Sequence, residues 1–310
     1  MKLKNLVTLR NVAAALVAGI FAMASCTTNT DSILSATDTQ SVNSESTAAS
    51  YTSETADISN AVTNNVNDAA LSTARTEGLI FPVGTLRKWD KRLACAKVTV
   101  THVDGSTKDH PMGTITIYYD STVTCADTTG VQRKGTIIIN YSGRRYAIGS
   151  TRVLTFQNYS RNGVKIKGTY TITNVTDSTN AAMKFNHTIV GGQIIFTDGK
   201  IVTRDQNITV QWNRGLNPTL DTYAHLAGGT ATGTHKDGKS YAMTITADLI
   251  HSVSCEINNK VFIPVKGTKT VTITGGKEYS LDYGNGDCDN EVTITVNGKS
   301  KTITVNGNGN

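Results

Sequence analysis

Aromatic residues are scarce in this chain: Phe, Trp and Tyr together make up 6% of its 310 residues. An outer-membrane barrel marks both membrane interfaces with girdles of such rings, so their scarcity argues against that architecture. No apolar run is long enough to cross a bilayer as a helix, which takes about 20 residues. The longest, from Val12 to Met23, gives way at once to polar sequence. Charge is sparse at 17%, and the formal net charge of +6 falls to +3 (6 − 3) once Lys2, Lys4 and Arg10 are set aside. Lys88, Lys91 and Arg92 form the densest basic group, and Arg144-Arg145 is only a pair. A nucleic-acid partner, which needs many phosphate-neutralising groups on one surface, is therefore not expected. The familiar catalytic signatures are missing too: there is no Gly-x-Ser-x-Gly elbow, no His-Glu-x-x-His and no Gly-rich phosphate loop.

What is present begins with an address. Residues 1–25 combine a basic leader (Lys2, Lys4, Arg10), the apolar run and the small residues Ala24 and Ser25. These are the parts of an export signal. Met23-Ala24-Ser25-Cys26 resembles the lipobox of bacterial lipoproteins. That resemblance implies cleavage before Cys26, a diacylglycerol on its sulfur and an acyl chain on its new amine. Several chains are needed for firm anchoring, because each buried CH₂ contributes only about 0.8 kcal/mol. The membrane, reached through lipidated Cys26, is thus the first expected partner. Residues 26–53, rich in Thr, Ser, Asn and Asp, read as a flexible tether. Ile58, Ala61, Val62, Val66, Ala69, Ala70 and Leu71 then recur at helical spacing and predict one amphipathic helix over 54–77.

Lipidation leaves Cys95, Cys125, Cys255 and Cys288. An even remainder in an exported chain points to disulfides, and four cysteines allow three connectivities. Cys95–Cys125 and Cys255–Cys288 are expected, since each pair sits within one stretch of chain. Loops of this size stabilise by about 3 kcal/mol each in the chain-entropy picture.

From residue 85 onward the apolar period becomes two. In Val164-Lys165-Ile166-Lys167-Gly168-Thr169-Tyr170-Thr171-Ile172 the even positions are apolar or Gly and the odd ones polar, the mark of a strand with one wet face. Similar runs follow one another to the C-terminus, joined by Asn162-Gly163, Asp198-Gly199, Asp237-Gly238 and Asn297-Gly298. Such dipeptides favour hairpin turns. The fold class expected is all-β: an antiparallel meander forming an extended twisted sheet or sandwich, preceded by the signal peptide, the tether and one short helix. Two β regions, 85–216 and 217–310, are expected, either separate or as one continuous body.

Asp282-Tyr283-Gly284-Asn285-Gly286-Asp287-Cys288-Asp289 and the Thr-rich hairpin after it resemble the ending of uncharacterised lipoproteins of Bacteroidota. Arg133-Lys134-Gly135, Phe156-Gln157-Asn158-Tyr159 and Ile166-Lys167-Gly168-Thr169 are similar to the same group. The resemblance implies a lineage and no catalytic residue. Cell-surface lipoproteins of that lineage carry an acidic cluster after the cysteine. Here only Asp31 follows Thr27-Thr28-Asn29-Thr30, which favours the periplasmic face of the outer membrane.

Several groups of side chains carry candidate chemistry. Asp282, Asn285, Asp287, Asp289 and Glu291 place several oxygens within one Gly-rich turn, the ligand type calcium takes, though the order does not follow an EF-hand. The competing reading is a disulfide-held turn with solvated acids. His225 and His235 flank a glycine-rich turn and would meet with Asp221 or Asp237 if that hairpin closed on itself. His187 shares a strand face with Met183, Phe185 and Ile189, which suits a hydrogen-bonded core residue. Asp120, Asp127, Asp198 and Asp205 are the carboxylates from which a hydrolase would need to draw a pair. Trp89 and Trp212 are the only tryptophans, and Trp212, which shares a strand face with Ile208 and Val210, suits core or sheet-edge packing; Tyr118, Tyr119, Tyr141, Tyr146, Tyr159 and Tyr170 include the rings that a carbohydrate platform would use. The resulting expectation is a non-catalytic envelope lipoprotein with a structural or protein-binding role and no cofactor. Its partner would be another envelope protein or a glycan. A carbohydrate-binding module and a hydrolase are the alternatives.

Overall fold

Threonine, isoleucine, valine and tyrosine in alternation leave the chain little choice but extended backbone, because branched and aromatic side chains pack well on a pleated surface. The computed structural model describes residues 51, 55, 58, 62, 63, 79–81, 90–120, 130–177, 182–259, 261–275 and 277–305. Its strands are β1 (Leu79–Phe81), β2 (Ala96–His102), β3 (Met112–Tyr119), β4 (Arg133–Ser142) and β5 (Thr151–Arg161). They continue with β6 (Val164–Asn174), β7 (Met183–Ile195), β8 (Ile201–Asn213), β9 (Thr222–His225) and β10 (Thr230–Thr234). The last are β11 (Ser240–Ser252), β12 (Lys266–Ile273), β13 (Lys277–Asn285), β14 (Glu291–Val296) and β15 (Lys299–Thr304). All belong to one antiparallel sheet in which nearly every strand pairs with its neighbours in sequence. The exception is β9, a short strand that pairs with β8 and β11 while β10 occupies the next stretch of the same two. The all-β meander expected from the alternation is thus the fold, and it is one sheet. Pairing of β8 with β9 and β10 carries the sheet without a break past residue 217.

The turn dipeptides act as their chemistry requires. Asn162-Gly163 and Asn297-Gly298 both have positive φ at each residue, the two-residue hairpin geometry that matches strand twist.

One face of the sheet is apolar. Val100, Ile115, Ile139, Leu154, Tyr170 and Ile189 lie side by side from β2 to β7, and all are buried. Gln206 comes next on β8, and buried Arg204 donates from Nε to its Oε1 at 2.9 Å. Beyond it Ala231, Met243, Val271 and Tyr279 continue the row. The Arg204–Gln206 pair coincides with the division between the two largest core clusters, one on β2–β7 and one on β8–β15. The helical residues Ile58 and Val62 are fully buried in the first cluster, so these two positions of the predicted helix pack on the sheet there; the rest of its apolar stripe lies outside the described residues. Each such buried aliphatic side chain contributes about 1.5–3 kcal/mol.

The other face is mainly a row of hydroxyls and amides, with Val153 the apolar member. Thr101, Thr114, Asn140, Val153, Thr171, Thr188 and Asn207 are cross-strand neighbours. Thr230, Thr244, Thr270, Ser280, Thr295 and Ser300 extend the row to the last strand. Several bond directly, as Thr114 to Asn140 at 2.8 Å and Thr295 with Ser300 at 2.7 Å.

Register shifts bend the sheet between β4 and β8. At the bend, Gly168 has φ +115 and a Cβ placed on it would lie 2.7 Å from Cα of Gly192. No residue with a side chain fits that approach.

Candidate functional site

In a meander, every second connection falls at the same end of the sheet. The loops after β2, β4, β6 and β8 share one end, and most of the exposed large apolar side chains among the described residues lie there. Val103, Tyr146, Ile148, Val175, Leu216, Leu220 and Tyr223 all lie in or beside these loops, with Leu216 fully exposed and Ile148 at 60%. Exposed aliphatic and aromatic side chains concentrated in one region mark a contact surface more often than chance scatter does.

A cluster of rings and guanidinium groups organises this end. Trp212 ends β8 and pairs across strands with Tyr223 on β9, their ring planes 12° apart and centroids at 6.2 Å. Tyr146, in the loop between β4 and β5, reaches to 6.2 Å from Trp212. The Arg214 guanidinium lies 4.5 Å over the Trp212 ring and 5.8 Å from Tyr146. Arg145 lies 5.3 Å from the Tyr146 ring and 5.8 Å from that of Phe185 on β7. Cation–π contacts of this kind hold long arginine side chains in place. Buried Asp221 fixes the loop that carries Leu216 and Leu220: one carboxylate oxygen accepts from the Trp212 indole at 2.8 Å, the other from Gly215 N at 2.9 Å.

Behind these rings the inner face is unusually rich in basic groups. His187 on β7, His225 on β9 and His251 on β11 form a line, with His225 and His251 4.8 Å apart. Burial, then the charges of His225 and Arg145, push His187 down to about 3. Burial, then Arg204 and Lys269, push His225 down to about 4. Burial, then His225 and Lys269, also hold His251 well below the usual range. These imidazoles are neutral at pH 7. The three histidines are half-buried, whereas Arg152 on β5 is buried, and burial followed by Arg145 lowers it to about 10.

The residues singled out in the sequence are distributed as follows. His187 takes the hydrogen-bonded core position expected of it, with the Tyr170 oxygen 2.6 Å from Nδ1. His225 and His235 do not converge: His225 is registered with Val210, whereas Thr234, next to His235, is registered with Thr203. Seven residues of β8 separate those positions, about 23 Å at a strand rise of about 3.3 Å. His235 stacks instead on Tyr241, ring centroids 4.6 Å apart. Asp198 pairs with Lys236 at 3.0 Å, and Asp205 accepts from Gly191 N at 2.6 Å. In the acidic turn, Asp282 and Asp289 each accept from the backbone two residues on, at 2.9 and 3.0 Å. No group of three or more His, Cys, Asp or Glu side chains suited to a metal occurs among the described residues. The turn is tied down by the Cys255–Cys288 disulfide. Cys95 is also disulfide-bonded; Cys26, Cys125, Trp89 and Asp127 lie outside the described residues.

Sequence reasoning passed over Arg152, Arg214, Leu216 and Tyr223. Arg152 had a readable signal, since it alternates with Leu154 and Phe156 and so falls on the apolar face. Leu216 had none, because a single apolar residue in a Gly-Leu-Asn-Pro turn is unremarkable. Comparison of the chain with family models, curated proteins and solved structures finds no match.

Proposed function

We propose that this chain is a lipid-anchored envelope protein with a non-catalytic role, and that it binds a partner protein through the loop end of its sheet. The observation that carries the reading is the gathering of exposed apolar side chains around the Tyr146–Arg214–Trp212–Tyr223 cluster. Tyr, Trp and Arg dominate the energetics of protein interfaces, and a surround of aliphatic residues excludes water from them. The anchor is the lipid expected on Cys26, and the address is the periplasmic face of the outer membrane.

Glycan capture is the second reading, and the three neighbouring rings favour it. A sugar needs a free aromatic face, however, and the guanidinium of Arg214 covers one face of Trp212. Leu216, Ile148 and Leu220 also suit a protein surface better than a sugar. A photo-crosslinking amino acid placed at Leu216 or Ile148 in the native cell tests the choice. The expected result is a discrete protein adduct that disappears with Tyr146→Ala, while the same probe at Thr244 on the polar face gives none. Equal adducts from both faces, or glycan adducts alone, would overturn the protein-binding reading.

A further inference from the structure

Arg152 occupies an apolar position. It stands on β5 opposite Tyr141 of β4 and Ile172 of β6, and its side chain is 4% exposed. Only Nη1 is used, donating to the carbonyl of Thr151 at 2.9 Å. Nε and Nη2 are buried and meet no acceptor. Those two N–H groups lie on one edge of the guanidinium plane and point in parallel, the fork that matches the two oxygens of a carboxylate.

The surroundings do not neutralise this charge. The groups that act on Arg152 are the Arg145 guanidinium and the Tyr141 phenol, and no carboxylate is among them. A buried cation with two open donors is costly, and arginine escapes the cost poorly by losing its proton. A second positive charge nearby makes the position still more electropositive. Arg145 is held by its own backbone, since its carbonyl accepts from Ser150 Oγ at 3.0 Å and from Asn174 Nδ2 at 3.2 Å. Both arginines belong to the β4–β5 hairpin, whose loop residues 146–149 are exposed.

We propose that the Nε–Nη2 edge of Arg152 is a binding site for a carboxylate. A tetrahedral oxyanion fits less well, because a two-donor edge satisfies only two of its oxygens. Tyr141 is already engaged with His102 Nδ1 at 3.3 Å. The loop between Arg145 and Arg152 also carries Tyr146 and Ile148 of the apolar contact surface, but binding of a free carboxylate does not depend on what docks there.

Thermal unfolding of the full chain, titrated with sodium acetate against sodium chloride at constant ionic strength, tests the assignment. Acetate is expected to raise the midpoint saturably. Arg152→Lys keeps the charge but lacks the fork, and the acetate half-point should move at least tenfold higher. The Arg152 Nε–H signal, assigned by its loss in Arg152→Lys, gives a second readout in the unaltered protein and should shift with the same half-point. Sulfate titrating more tightly than acetate would overturn the carboxylate assignment. Equal half-points in the two proteins, or an unmoved Nε–H signal, would remove the site.

Discussion

The phenol oxygen of Tyr170 lies 2.6 Å from Nδ1 of His187, with the two rings edge to face across the β6–β7 pair. This contact fixes a neutral imidazole in a line of half-buried histidines, and it makes the fold sensitive to acid. In the unfolded chain a histidine takes up a proton near 6.5. In the folded protein burial delays that uptake to about 3 for His187 and about 4 for His225. Between those limits the unfolded state binds more protons, so stability is complete above about pH 6.5 and falls as the pH is lowered. The slope is at most about 1.4 kcal/mol per pH unit for each histidine. Unfolding midpoints measured from pH 7 to pH 4 should decline, and His187→Gln should flatten the decline. Superimposable pH profiles for the two proteins would contradict this account.

Asp221 supports the proposed contact surface from beneath. Asp221→Ala leaves the Trp212 indole and Gly215 N–H without acceptors, which should cost about 1–3 kcal/mol in chemical denaturation. Asp221→Asn retains one acceptor and should lose less. If the alanine variant is as stable as the parent, the loop is held by something other than this carboxylate.

The strands and most hairpins were legible because each depends on local chemistry: period-two alternation in 164–172, and Asn-Gly pairs at 162–163 and 297–298. Elements of only a few residues were not. β9 and β10 are too short to show a period, and they straddle Gly228 and Gly229, which read as one loop. The helix Val253–Asn259 was missed because Val-Ser-Cys-Glu-Ile-Asn-Asn has neither the length nor the propensity to announce itself. Tertiary contacts, including the disulfide on Cys255, surround it instead. The contact surface was hidden for a different reason. Tyr146, Trp212 and Tyr223 are scattered in the chain and meet only because alternate loops of a meander share an end.

The expected lipid on Cys26 gives a direct test of address. Cys26→Ser should move the protein out of the membrane fraction or leave residues 1–25 attached. An intact mass of the mature parent chain without acyl groups would refute lipidation.

The Cys255–Cys288 bond joins the helix Val253–Asn259 to the turn between β13 and β14, across a separation of 33 residues. Without it the turn is held mainly by short-range bonds, Asp282 to Gly284 N and Asp289 to Glu291 N. Chain entropy assigns a loop of this length about 3 kcal/mol, so Cys288→Ser should lower the unfolding midpoint by several degrees. The loss should be local: β12–β14 amides would exchange faster, while those of β3–β6, in the other apolar cluster, would keep their protection. Peptide mapping without reduction should recover Cys255 joined to Cys288, and Cys95 joined to Cys125 as their closeness in sequence leads one to expect. Calcium enters the same experiment as a control. If the acids of the turn are merely solvated, adding calcium or chelating it leaves both the midpoint and the exchange pattern of β13 and β14 unchanged. Protection of these amides by calcium in Cys288→Ser would instead show that Asp282, Asn285, Asp287, Asp289 and Glu291 form a site that the disulfide preorganises.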